Sequence, residues 1–167
     1  MGGTGPGRDP GLILENRAHL QSWEPARSAA HFTLGGQCEA QDLVRSATAD
    51  GREAVFGVTS QGLLVGRVAL TGIERGPFQS CHLGYWIAAS HCGLGLASQA
   101  VAAVVELAYG ELGLHRVEAA VMPANAASCR VLEKNSFRQE GLALRYLQIG
   151  GRWEVSASYD IVNEHLE

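Results

Sequence analysis

The middle of the chain alternates short runs of β-branched and aromatic residues with turn signals. Three such runs, EAVFGVTS, LLVGRVALTGI and HLGYWIA, are separated by Gln61-Gly62 and by Arg75-Gly76-Pro77. β-Branched and aromatic residues favour strands, whereas glycine and proline favour the turns between them. The pattern therefore predicts an antiparallel meander of three strands.

After the meander the hydrophobic period changes from that of a strand to that of a helix. Between residues 94 and 111, Ala97, Val101, Val104 and Ala108 recur on one helical face. This spacing predicts an amphipathic helix of about five turns, which we expect to end at Gly113. A short strand at RVEAAVM and a helix at NAASCRVLEKN follow, with Asn125 as the expected N-cap. Two further strand candidates, FRQEGLALRYLQI and RWEVSASYDIV, are joined at Gly150-Gly151, as in a hairpin.

The first fifty residues carry weaker patterns. Residues 1–10, MGGTGPGRDP, contain four glycines and two prolines and no apolar periodicity, so we expect a disordered lead-in. Short helices are predicted over Leu12 to Leu20 and over Gly36 to Thr48. The order of elements indicates an α/β fold with a mixed sheet, in a single domain over residues 11–167.

Composition and charge exclude several classes of function. With 46% hydrophobic residues, 18% charged residues and a net charge of -4, the chain is typical of a globular domain and has no electrostatic reason to bind nucleic acid or an acidic membrane. It has no secretory signal and no apolar run of the roughly 20 residues needed to span a bilayer, so we expect a cytoplasmic protein. Its four cysteines form neither a CxxC pair nor a zinc-like cluster, which indicates reduced thiols and no metal.

The stretch HCGLGLASQAV, from His91 to Val101, is a glycine-rich turn that leads into the long helix. Unpaired amide groups at the start of a helix favour a bound phosphate. Glycines also punctuate ordinary strand-to-helix turns, and the loop alone leaves both interpretations open. The Lys-Ser/Thr ending of a nucleotide-binding P-loop is absent, and so is the third glycine of a dinucleotide-binding turn.

The run LGYWIAASHCGLGLASQAV, followed by NAASCRVLEKNSF and a nearby EG, resembles the acetyl-CoA signature of the GNAT acetyltransferases. Within that family it resembles the ribosomal-protein alanine N-acetyltransferases of the RimJ and RimL type. ENRAHLQSWEP, ERGPF and RYLQIGGRW extend the resemblance over roughly Leu14 to Trp153. It implies a mixed, mostly antiparallel splayed sheet flanked by helices. Residues 1–11 offer no good candidate for the family's usual first strand, so we expect that strand to be missing.

The resemblance implies that acetyl-CoA, as cosubstrate, lies between the strand His82 to Ile87 and the strand Arg116 to Val121. The residues expected to bind it are Ile87, Ala89, Cys92, Gly93, Leu94, Gly95, Leu96, Ala97, Ser98, Asn125 and Ser128. Cys92 and Leu94 stand where relatives commonly have side chains that donate hydrogen bonds. We expect the loss of such a donor to weaken binding by about 1 kcal/mol.

Acetyl transfer to an amine needs a base for the ammonium proton and a proton donor for the departing thiolate. The resemblance points to His82 as the base, where RimL-like relatives carry Glu, and Glu118 on the next strand is the alternative. The tyrosine that many relatives place seven residues after the helix-opening Asn is Leu132 here, which leaves Ser128 as the candidate acid. The alternative is that all three are ordinary strand or helix residues.

Aromatic side chains are the candidates for the acceptor site. They are Tyr85, Tyr146 and Trp153, although such residues also pack sheet edges. The function implied is acetyl transfer from acetyl-CoA to a primary amine, with the N-terminal α-amine of a protein or peptide as the leading acceptor. The alternatives are a small-molecule amine, such as an amino acid conjugate or an antibiotic, and a catalytically weak CoA-binding module. A sheet edge left by the missing strand would suit a homodimer contact.

Overall fold

A six-stranded sheet organises the chain. The computed structural model describes residues 10–166. Its helices are α1 (Pro10–Glu15), α2 (Arg17–Leu20), α3 (Leu34–Ala49), α4 (Leu96–Gly110) and α5 (Ala126–Lys134). Its strands are β1 (Ala54–Ser60), β2 (Leu63–Glu74), β3 (Ser80–Ile87), β4 (Arg116–Val121), β5 (Arg138–Ile149) and β6 (Arg152–Val162). Single turns of 3-10 helix lie at Ala29–Phe32, Ala89–His91 and Glu164–Leu166.

The strand order is β1-β2-β3-β4-β6-β5, and every neighbouring pair is antiparallel except β3 with β4. That parallel pair is short, because only Ser80–Arg116, Cys81–Val117 and His82–Glu118 are in register. Beyond His82 the two strands separate, while β4 remains paired with β6 as far as Val121. The sheet is therefore split between β3 and β4, which confirms the predicted mixed, splayed architecture.

The main core lies where α4 and α5 pack on one face of the sheet. Leu70 of β2, Val101 of α4, Val117 of β4 and Leu132 of α5 are all 0% exposed within it. The apolar stripe predicted for α4 is confirmed at Val101, Val104 and Ala108, which are buried. Burial of a Leu or Val side chain contributes roughly 1.5–3 kcal/mol, so this face fixes the positions of β3 and β4 on either side of the split.

The single helix predicted over Leu12 to Leu20 is wrong, because the helix is divided at Asn16. Asn16 is buried, and its Nδ2 donates to the carbonyl oxygen of Leu12 at 2.9 Å. Its Oδ1 accepts a hydrogen bond from the backbone amide of Ala89 at 2.8 Å. Asparagine side chains of this kind compete with helical backbone bonds. The residue at the break is therefore also bonded to a segment 73 residues away.

Other boundaries shift by a few residues. The predicted lead-in over residues 1–10 lies outside the described part of the chain, except that Pro10 begins α1. α3 begins two residues before the predicted Gly36, because the Thr33 side chain caps it by accepting from the Gly36 amide at 3.1 Å. α4 ends at Gly110 rather than at Gly113, whose φ of +61° turns the chain towards β4. Across residues 10–166, β1 is the first strand, and none of the helices could cross a membrane.

Candidate functional site

The glycine-rich turn connects β3 to α4 at the open end of the split sheet. Gly93 and Gly95 have φ values of +80° and +77°, and Gly95 is the N-cap of α4. No side chain caps this helix, so its first amide groups point out of the helix without a partner from its own backbone. Together with the positive end of the helix dipole, these amides favour an anion.

Two predicted cofactor residues are already engaged within the protein. The Cys92 thiol lies 3.5 Å from the Ala88 carbonyl oxygen and 3.7 Å from that of Ile87, and thus faces back towards the end of β3. The Ala89 amide is bonded to Asn16. A pantetheine chain could pair with the Ala89 amide only by displacing Asn16. The helical pattern around Asn16 gave no signal for this contact.

Tyr85 of β3 is hydrogen-bonded to Ser128 of α5, the helix that follows β4. Asn125 caps α5 as predicted, because its Oδ1 accepts from the Ser128 amide at 3.1 Å. The Tyr85 hydroxyl lies 2.7 Å from Ser128 Oγ and donates to the Ser128 carbonyl oxygen at 3.1 Å. Burial raises the pKa of Tyr85 to about 12, against a smaller lowering by the bond to Ser128. Tyr85 therefore remains a neutral phenol near neutral pH.

His82 and Glu118, the two alternative bases, form the last register pair before β3 and β4 separate. His82 Nδ1 lies 3.6 Å from Glu118 Oε2, and the two side chains are 62% and 32% exposed. The other carboxylate oxygen of Glu118 accepts from Arg116 Nε at 2.8 Å. The structure thus joins the two alternatives in one solvent-accessible pair.

Arg116 lies at the centre of a cluster of carboxylates that sequence reasoning missed. Its guanidinium is bonded to Glu118 and Glu140 and lies 3.6 Å from Asp160. Burial acts to lower the pKa of Arg116, but the surrounding carboxylates raise it by more, so the arginine stays charged. Burial also raises the pKa of Asp160, and the attraction of Arg116 offsets only part of that effect.

A pocket opens at the end of β4. Its lining residues are Trp23, Ala120, Val121, Met122, Asn125, Tyr146, Leu147, Ile149 and Ser156. None of these side chains is a carboxylate or a cation. Ala120 follows Glu118 by two residues, so both lie on the same face of β4, about 7 Å apart along the strand. The pocket therefore lies further along β4 than Glu118, and neither Glu118 nor His82 lines it.

The β5–β6 hairpin contributes one of its two predicted aromatic residues to this pocket. The pairing of β5 with β6 is irregular between Ala143 and Leu147, where Arg145 has a φ of +51°. Tyr146 lies within this irregular segment and lines the pocket. Trp153 is 61% exposed and is not among the lining residues.

The split sheet and its loop have a counterpart among known protein families. The family model described as "Acetyltransferase (GNAT) domain" matches residues 11–138 of the chain. The chain belongs to the GNAT acetyltransferase family. Acetyl transfer is accordingly its chemistry, as the resemblance in the signature region predicted.

Individual relatives of this GNAT enzyme include an alanine N-acetyltransferase. The chain is 37% identical to the probable N-acetyltransferase YjcK of Bacillus subtilis over 92% of its own length and 86% of the relative's. It is 31% identical to the ribosomal protein uS5-alanine N-acetyltransferase of Escherichia coli, over 83% and 73% of the two lengths. Mycobacterium smegmatis RimJ, solved with CoA-disulfide, superposes with a TM-score of 0.90 at 31% identity, over 94% of this chain and 77% of that one. The RimJ-like character predicted from sequence is confirmed.

Proposed function

We propose that this enzyme acetylates the N-terminal α-amine of a peptide or protein, with acetyl-CoA as the donor. The observation that carries the proposal is the uncharged pocket at the end of β4, the strand that also carries Glu118 of the His82–Glu118 pair. A pocket without carboxylates suits an α-amine that is followed by a small neutral side chain. Its lining residues offer no counter-charge to the additional cationic groups of a polyamine. The similarity to alanine N-acetyltransferases supports the same acceptor.

The residues present fit acetyl-CoA in the opening between β3 and β4. The amides from Gly93 to Ser98 would hold its pyrophosphate. Space for that group exists at Gly93, because a Cβ added there would have no atom within 4 Å. The backbone of Ile87 at the end of β3 would accompany the pantetheine arm. Acetyl-CoA would supply the acetyl group, and CoA would leave as the thiol once the thioester C–S bond is broken.

His82 is the proposed base. Its imidazole is exposed enough for an incoming ammonium to reach it, and its Nδ1 lies 3.6 Å from Oε2 of Glu118, which orients the ring. Glu118 is therefore the partner of the base rather than its replacement.

Ser128 is the proposed proton donor to the departing sulfur. Tyr85 has a single hydroxyl proton to share between the Ser128 carbonyl oxygen and Ser128 Oγ. When Tyr85 donates to Oγ, the serine proton is free to point into the opening. Tyr85 would thus orient the donor, a different role from the substrate contact predicted from sequence.

A panel of acceptors tests the proposal. Purified enzyme and acetyl-CoA are incubated with an alanine-initiated peptide, the same peptide blocked at its N-terminus, spermidine and an aminoglycoside, and products are measured by mass spectrometry. The free peptide should be acetylated, and His82→Ala should reduce the rate, while His165→Ala near the C-terminus serves as the matched histidine control. Acetylation of the small amines alone would replace the acceptor assignment. CoA binding without turnover on any amine would indicate a binding module.

A further inference from the structure

Arg116 contacts three carboxylates at once. Three of its nitrogens face three different carboxylates, which come from β4, β5 and β6. Glu118 and Asp160 lie opposite each other in the β4–β6 ladder. Without a cation among them, these like charges on one sheet face would repel one another.

The contacts of Glu118 divide between its two oxygens. Oε1 receives the Arg116 Nε–H at 2.8 Å, and Oε2 faces His82 Nδ1 at 3.6 Å. A carboxylate held at one oxygen keeps the other in a defined direction. Arg116 is itself held by Asp160, whose side chain is only 11% exposed, and by Glu140.

We propose that Arg116 is a positioning residue for the acetyl transfer, which acts by holding the Glu118 side chain aimed at His82. The inference rests on the proposed function, because it assumes that the His82–Glu118 pair takes up the acceptor proton. Arg116 does not touch the acceptor pocket. Its effect passes through Glu118.

An exposed pair elsewhere in the chain provides a comparison. Arg52 and Asp50 have the same separation in sequence as Arg116 and Glu118, and the same N···O distance of 2.8 Å. Their side chains, however, are 64% and 55% exposed, against 28% for Arg116 and 32% for Glu118. Exposed pairs of this kind contribute little, so Arg52→Lys is the matched control for Arg116→Lys.

The test is a double-mutant cycle of Arg116→Lys with Glu118→Gln, assayed with acetyl-CoA and an alanine-initiated peptide. Lysine keeps a positive charge close to the buried Asp160, but it lacks the planar guanidinium whose N–H groups donate in fixed directions. Arg116→Lys should lower kcat about 10- to 100-fold, the range for a hydrogen bond between charged groups. The KM for acetyl-CoA should be unchanged. In the Glu118→Gln background the same substitution should have no further effect on kcat.

Each other result overturns the inference. It fails if Arg116→Lys has wild-type kcat, if Arg52→Lys lowers kcat equally, or if the Arg116 effect persists undiminished when Glu118 is Gln. Thermal unfolding of each variant identifies any loss of activity that comes from unfolding. If kcat of Arg116→Lys falls only in proportion to its folded fraction, the inference is also contradicted. If Glu118→Gln retains full activity, the positioning role fails while the proposed function stands. If the wild-type enzyme acetylates no amine, the proposed function fails as well.

Discussion

Replacement of Gly93 by alanine tests whether the loop before α4 holds acetyl-CoA. Gly93 has a φ of +80°, and a Cβ built on it meets no atom within 4 Å. Alanine therefore fits in the available space, and the cost of the substitution lies in the backbone conformation alone.

The size of the effect follows from that conformation. A left-handed backbone costs an L-residue about 1–2 kcal/mol. If the free loop of the variant relaxes to negative φ, the binding-competent form falls in population by about 5- to 30-fold. The apparent Kd for acetyl-CoA then rises by the same factor.

Gly62 in the β1–β2 turn provides the control. Its φ is +79°, and a Cβ added there would likewise have no atom within 4 Å. Gly62→Ala should thus impose equal strain without a change in Kd. Isothermal titration of acetyl-CoA into the three proteins measures the effect, and urea unfolding measures the strain. Wild-type affinity in Gly93→Ala, or equal weakening in Gly62→Ala, would refute the reasoning.

Three further predictions concern the pocket, the carboxylate cluster and the thiols. Tyr146→Ala should raise kcat/KM for a peptide with a bulky first residue relative to an alanine-initiated one, whereas Trp153→Ala, outside the pocket lining, should leave that ratio unchanged. Burial raises the pKa of Asp160 above its ordinary 3.8, so the folded state favours the protonated carboxyl group. The free energy of unfolding that Asp160 contributes is therefore present in full below that value and is lost as the pH rises through the folded pKa. Urea unfolding of Asp160→Asn at a series of pH values should show no such loss. Iodoacetamide followed by mass spectrometry should label the exposed Cys38 well before Cys81, since burial raises the pKa of Cys81 to about 12, and equal rates would contradict this.

Features set by local sequence were predicted well. The turns at Gln61-Gly62 and Gly150-Gly151 depend on residues that tolerate positive φ, and all four residues adopt it. The N-cap at Asn125 depends on a side chain three residues before its partner amide. Such signals reside in a few neighbouring residues and can be identified from the sequence alone.

Contacts between distant segments were not predictable in this way. The Ala89 amide donates to Asn16, which lies at the break in a helix that looks continuous in sequence. The Arg116 cluster depends on the register of β4, β6 and β5, including a bulge between Gln139 and Gly141. A shift of one residue in that register would move these side chains to the opposite face. The pairing of His82 with Glu118 likewise follows from the parallel register of β3 and β4.

The most direct test of the account is the position of the acetyl group on an alanine-initiated peptide that also contains an internal lysine. The peptide is incubated with enzyme and acetyl-CoA, and the product is sequenced by tandem mass spectrometry. We predict one acetyl group on the α-amine and none on the lysine. Acetylation of the lysine alone, or of neither amine, would contradict it.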